Sequence, residues 1–324
     1  MMSINRRTFF AGAAGAGLGA TLAPTTVALA NEPAPAGGQA PAFHRITIGN
    51  KTVTALADGH LQLGAQVFPN VSEEEFSASL RDAFLPEDAP YAAPVNAYLV
   101  DTGDGLVLID SGATSAMAPT AGKLSENLAA AGVSGDDISA VLITHLHPDH
   151  IGGMTGADGA KAFPNAQVLV REEEAAFWTD PATRAALPAS VGGMIDAIEA
   201  TLGAYEGSVT RFSADGEVVP GVEAMFLPGH TPGHTGFMIA DGDDAVLIWG
   251  DIVHSAPVQM ANPERFIMFD GAPEVAVETR KQILDRAVSD RLMIAGMHMP
   301  FPGAGHIVRD GEGYRFVVLP WQYG

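Results

Sequence analysis

The 324-residue chain has no cysteine. That excludes disulfide staples and every thiolate metal site, leaving imidazole and carboxylate as its strong metal ligands. Basic residues are also scarce: 17 Lys and Arg face 38 Asp and Glu, for a formal charge of −21. Such a surface repels nucleic-acid phosphates and offers no funnel for anionic substrates. A nucleic-acid partner is excluded on this ground, and a small uncharged substrate fits better than an anionic one. Aromatic residues make up only 7 %, so a core has to be built from aliphatic side chains. Past residue 30 no apolar run approaches the roughly 20 residues a bilayer crossing needs, and the mature chain is read as having no membrane span. What remains is ample, since roughly 280 residues can bury about three-quarters of their unfolded surface in one domain.

The first thirty residues form a separate module. Asn5-Arg6-Arg7-Thr8-Phe9-Phe10 precedes a weakly apolar Ala/Gly-rich stretch that runs to Ala30. The pattern resembles a twin-arginine export signal cleaved after Ala30, which implies a periplasmic or secreted protein. Gly12, Gly15, Gly17, Gly19 and Pro24 make it a poor membrane helix. This segment carries two arginines and no acid, so its removal leaves the chain more acidic still. Residues 31–42, rich in Pro, Ala and Gly, read as a flexible linker, and residues 43–324 as the folded domain.

Apolar alternation and turn residues predict strands near 44–49, 52–57, 95–100, 105–110, 138–143, 166–170, 222–227, 236–240, 245–249, 292–295 and 314–319. They predict helices near 72–82, 117–131, 171–178, 190–203 and 273–288. Hairpins mixed with strand–helix–strand units imply an α/β protein, with packed sheets inside and helices outside. The stretch 155–210 reads as an irregular insert placed to cap a pocket. The halves near 43–205 and 206–324 are too faintly similar to count as a repeat.

One short run dominates the chemistry. His145-Leu146-His147-Pro148-Asp149-His150 follows the apolar stretch Val141-Leu142-Ile143-Thr144 and precedes the pair Gly152-Gly153, read as flexible. Three imidazoles and a carboxylate this close together are the ligand set of borderline divalent metals, too dense for a packing role. In an irregular loop leaving a strand, His145 and His147 point one way at period two, while Asp149 and His150 face a neighbouring position. A two-metal site needs further ligands. His230, Asp251 and His298 supply them, each following an apolar run where the chain turns into Gly or Pro.

That run, followed in order by His230, Asp251 and His298, resembles the metallo-β-lactamase-fold hydrolases. Val95-Asn96-Ala97-Tyr98-Leu99-Val100, Trp249-Gly250-Asp251-Ile252-Val253-His254 and Phe301-Pro302-Gly303-Ala304-Gly305-His306 are similar to the methyl parathion hydrolase branch and its lactonase-like relatives. The resemblance extends from about residue 45 to the C-terminus. It implies a four-layer αββα sandwich of two mixed β-sheets around a dinuclear centre. One metal is implied on His145, His147 and His230, a second on Asp149, His150 and His298, with Asp251 bridging them. Zinc is the implied ion, with manganese, cobalt or iron(II) as substitutes, and homodimers are common in this branch. The commonest zinc lactamases use a Cys ligand that is missing here. Flavo-diiron oxidoreductases carry Glu where His147 stands, and the basic C-terminal patch of glutathione thioesterases is absent.

Two divalent cations about 3.5–4 Å apart make hydroxide available near neutral pH and polarise the bond under attack. The expected activity is hydrolysis of organophosphate triesters, aryl esters or lactones by a metal-bridging hydroxide. Asp251 and Asp149 are the expected catalytic carboxylates, with Asp149 relaying a proton to the leaving group. The alternative is a non-enzymatic metal-binding or scaffold protein that keeps the fold. Asp110, Asp58 and Thr144 are the candidates for orienting the imidazoles. Trp178 and His254 are candidate substrate residues. His234 is separated from His230 by Pro232 and Gly233, a turn that favours hydrogen bonding over ligation.

Overall fold

Branched aliphatic residues at alternating positions build two seven-stranded mixed sheets in this computed structural model, which describes residues 40–321. The first sheet runs in sequence order through β1 (Phe43–Ile48), β2 (Lys51–Leu63), β3 (Tyr91–Asp101), β4 (Leu106–Ile109), β5 (Ile138–Leu142), β6 (Gln167–Arg171) and β7 (Val209–Phe212). The second is built from β8 (Gly216–Val219), β9 (Val222–Phe226), β10 (Thr235–Asp241), β11 (Asp244–Ile248), β12 (Met293–Ala295), β13 (Ala304–Asp310) and β14 (Gly313–Val318). Strands β4 to β7 are parallel, as are β11 and β12, and the remaining pairs are antiparallel.

Among the described residues seven α-helices accompany the sheets: α1 (Glu73–Asp82), α2 (Leu124–Ala130), α3 (Pro148–Ile151), α4 (Glu172–Thr179), α5 (Pro181–Ala186), α6 (Gly192–Ala204) and α7 (Pro273–Ser289). Central strands are buried on both faces, which is why they read as continuous apolar runs. On β4, Val107 and Ile109 face the other sheet while Leu108 faces the helices, and all three are buried. The three interlayer cores follow from this alternation. One lies between the sheets (Val53, Ile109, Phe237, Ile248), one between the first sheet and α2, α4 and α6 (Leu128, Trp178, Ile198), and one between the second sheet and α7 (Leu247, Ile283, Leu284). The result is the four-layer αββα sandwich.

Several elements differ from their sequence expectation. Strands β7, β8 and β13 are additional. Residues 117–123 are not helical, and α2 begins only at Leu124. The stretch 155–210 is not irregular: it holds β6 and helices α4 to α6. The expected export signal over residues 1–30 lies outside the described residues, as does the linker up to residue 39. Ala42 is already anchored, donating to Asn127 Oδ1 at 2.8 Å and accepting from Ala57 N at 3.0 Å. Among the described residues no helix is long and apolar enough to cross a membrane.

Candidate metal centre

The site is assembled where β4, β5, β9, β11 and β12 all end on one side of the sandwich. Beyond β5 the chain reaches His145 and then His147, the N-cap of α3, whose first residue is Pro148. Proline suits that position because its missing N–H would be unpaired there anyway. The segment is thus one tight helical turn and not an irregular loop. Gly152 and Gly153 are not flexible spacers either. A Cβ on Gly153 would meet the Ser111 carbonyl oxygen at 2.1 Å, so the glycine allows the β4 loop to pack against α3.

All seven candidate ligands converge. His145 Nε2 and His230 Nε2 each lie 3.0 Å from His147 Nδ1. Beside this trio stand Asp149, His150, Asp251 and His298, with their ligand atoms within 4.8 Å of one another. Asp251 Oδ2 joins the two groups, lying 3.6 Å and 3.4 Å from Nε2 of His145 and His230, and 3.3 Å and 3.2 Å from Nε2 of His150 and His298.

The outer hydrogen bonds decide which nitrogen of each ring is free. Asp110 Oδ2 accepts from Thr144 Oγ1 at 2.7 Å and faces His150 Nδ1 at 2.7 Å, so His150 carries its proton on Nδ1. With its own hydrogen given to Asp110, Thr144 Oγ1 accepts from His145 Nδ1 at 3.0 Å. Nδ1 of His230 donates to Asp270 Oδ1 at 2.9 Å, and Nδ1 of His298 to the Pro94 carbonyl at 2.7 Å. Four Nε2 lone pairs are thereby aimed at the cluster centre. Asp251 Oδ1 and His150 Nε2 are buried without a hydrogen-bond partner. Buried lone pairs facing one another over about 3 Å repel unless a cation lies among them, so this donor set fits a pair of divalent ions.

Electrostatics agree. Burial holds His145 well below the usual imidazole range, and burial together with His230 pushes His147 down to about 3, so both imidazoles are neutral, as metal ligation requires. Burial alone would raise Asp251, but His150, His298 and His254 outweigh it and keep the carboxylate well below its ordinary value. Burial lowers His298, yet Asp251 and Asp149 lift it to about 10, the response of a position that demands positive charge.

Above the cluster lies a cavity of about 460 Å³ whose floor includes His147, Asp149, Asp251 and His298. Its walls are Leu61, Leu63, Met117, Met194 and Phe269, and no Lys or Arg lines it. Residues 90–314 match the metallo-beta-lactamase superfamily.

The chain belongs to that superfamily. A solved structure of AbOPH, a hydrolase in the beta lactamase superfamily, is 32 % identical, with a TM-score of 0.84, covering 88 % of this chain and 100 % of the other. AidC, a dizinc quorum-quenching lactonase solved with its product N-hexanoyl-L-homoserine, is 25 % identical, with a TM-score of 0.81 and coverage of 87 % and 99 %. The N-acyl homoserine lactonase AiiA of Bacillus thuringiensis subsp. kurstaki is 27 % identical over 224 residues, 62 % of this chain and 79 % of that lactonase.

In this superfamily hydrolase the remaining expected site residues divide. Asp110 and Thr144 touch the imidazoles and His254 lines the cavity. Asp58 does not reach an imidazole. Its carboxylate instead accepts from the backbone N–H of Ala113, Gly122 and Leu124 at 2.9–3.0 Å, pinning the loop after β4. Trp178 is no cavity wall, because it stands behind His147 with ring centroids 5.7 Å apart and donates Nε1–H to Glu174 at 2.8 Å. His234 hydrogen-bonds, with Nδ1 facing the Leu227 carbonyl and Nε2 accepting from Asp251 N.

Three residues escaped sequence reasoning. Asp270 orients His230 and is paired with the buried Arg280, whose Nη2 is 3.5 Å away. Fully buried Glu174 accepts from Leu146 N and Gly233 N at 2.9 Å each, tying the loop after β5 to the loop after β9. The acidic run Glu172-Glu173-Glu174 reads as a solvated helix start, and only the third residue's inward turn gives it away. Asp270 stands in a Phe-Asp-Gly turn that bears no ligand motif.

Proposed function

We propose that this chain is a dinuclear zinc-dependent hydrolase of uncharged lactones that carry an apolar acyl or alkyl chain. The observation behind this is the position of a seven-ligand cluster at the floor of an apolar cavity without a basic residue. Substrate would bury its chain against Met117, Met194 and Phe269 and leave its ring over Asp251. Two divalent ions held by these seven residues would supply hydroxide near neutral pH and polarise the scissile carbonyl. Asp149, which lines the cavity, takes up a proton and passes it to the leaving oxygen. His254 lines the cavity with Nε2 3.1 Å from Asp251 Oδ2 and Nδ1 buried without a hydrogen-bond partner, and its ring donates to a substrate oxygen. Export to the periplasm or cell exterior through the twin-arginine segment belongs to the same proposal, and a reporter fused to residues 1–30 tests it.

The dizinc lactonase and the N-acyl homoserine lactonase among the similar proteins support the lactone ranking. Assays on acyl-homoserine lactones, dihydrocoumarin, aryl acetates and a paraoxon-type triester, with and without chelator, test it. Chelator-sensitive turnover highest on the lactones is expected. A higher kcat/KM on the triester or the aryl esters would move the assignment to phosphotriesterase or esterase. No metal-dependent turnover on any would leave a scaffold that binds metal without catalysis.

A further inference from the structure

Strand β3 carries two polar side chains where its alternation calls for apolar ones. Tyr98 and Val100 point into the core between the sheets, and at period two Asn96 points the same way. Asn96 is 1 % exposed and Tyr98 is fully buried. An amide and a hydroxyl are unfavourable in such a layer unless both find partners. Those partners belong to the second sheet's half of the sandwich, in the loop that follows β12. Asn96 donates its backbone N–H to the Met297 carbonyl and Nδ2 to the Met299 carbonyl, each at 2.9 Å, and Tyr98 Oη donates to the Gly296 carbonyl at 2.9 Å. His298 lies within this run and donates to Pro94 of the same strand. Gly303, with φ at 74°, closes the loop over the two side chains, since a Cβ there would meet Tyr98 Oη at 2.2 Å.

The two donor groups of the cluster each draw on both halves of the sandwich. His230 joins His145 and His147, and His298 joins Asp149 and His150. Glu174 spans the seam at the first group, tying Leu146, which stands between His145 and His147, to Gly233 in the loop of His230. Asn96 and Tyr98 span it at the second, and the two bridges share no partner. Asp251, which faces both groups, is held by neither: its N–H donates to His234 Nε2 at 2.9 Å. We infer that Asn96 and Tyr98 are positioning residues for the His298 group alone, as Glu174 is for the His230 group, so that the two metal positions are set by independent ties across the sandwich. This rests on the dinuclear reading of the cluster and is indifferent to which ester or lactone is cleaved.

Competition of the zinc-loaded chain with a chromophoric chelator tests the inference, with H147A and H298A marking which release step belongs to which group. Tyr98→Phe keeps the ring and removes only the hydroxyl; Glu174→Gln keeps one acceptor oxygen and leaves the other loop without its own. Tyr98→Phe is expected to weaken the His298 step at least about tenfold and to leave the His230 step unchanged, and Glu174→Gln to do the reverse. Added to His298→Ala, Tyr98→Phe should change nothing further, because the residue through which it acts is gone. A merely structural role would weaken both steps together in either variant. Equal losses from a parent that holds two zinc ions would overturn the inference and leave the dinuclear reading standing, whereas a parent that binds no zinc would overturn both.

Discussion

Asp270 shows how much a single outer carboxylate contributes. It fixes the His230 tautomer, and its own charge is secured by the neighbouring groups: burial would raise it, but His230, His254 and Arg280 bring it down to about 2. Replacing Asp270 with Asn keeps the shape and weakens the hold on the Nδ1 proton. Metal affinity should fall about 10–100-fold, read by competition with a chromophoric chelator. Asp149→Asn should lower turnover more for substrates with poor leaving groups than with good ones, and equal losses would remove the proton-relay role. His234 sets a pH response. Burial and His230 hold it near 3, whereas in the unfolded chain it titrates near 6.5. The unfolded state therefore binds more protons between those values, so this residue's stabilisation is complete above 6.5 and is lost as pH falls toward 3. His298 works in the opposite sense in metal-stripped protein. With a folded value of about 10, its contribution is complete below 6.5 and fades as pH rises toward 10. Urea midpoints of the stripped protein should accordingly peak near neutrality and fall on both sides, and a flat profile would contradict both assignments.

At the scale of elements, buried carboxylates do the work that local propensity cannot. Residues 117–123 have the composition of a helix start, yet Asp58, more than fifty residues earlier, collects the backbone N–H groups of Ala113, Gly122 and Leu124 and imposes a loop. No window of local sequence contains that information. Strands β7 and β8 were missed because they are only partly buried and lack alternation, and β13 because its opening Ala304-Gly305 continues a Pro-Gly turn. The buried central strands were legible for the opposite reason. Glu174 is the corresponding clamp at the site itself. Glu174→Ala leaves Leu146 N, Gly233 N and Trp178 Nε1 without their acceptor, and should cost about 3 kcal/mol or more in stability, measured by denaturant titration of the metal-free form.

The whole molecule joins an acidic exterior to an apolar cavity floored by a His/Asp cluster. The convergence of all seven candidate ligands was legible because each follows an apolar strand, and strand ends on one side of a sandwich meet in space. The residues that orient them were only half legible. Asp110 and Thr144 adjoin the motif, whereas Asp270, Glu174 and Arg280 act through long-range contacts with no local signature. Acidity also predicts selectivity. Lowering ionic strength should raise KM for an anionic ester and leave KM for a neutral lactone of equal size unchanged. The central claim is that five imidazoles and two carboxylates hold a pair of divalent cations, and elemental analysis of the purified chain tests it most directly. Two transition-metal ions per chain are predicted, both lost on chelation together with lactone hydrolysis; active protein containing no transition metal would contradict the account.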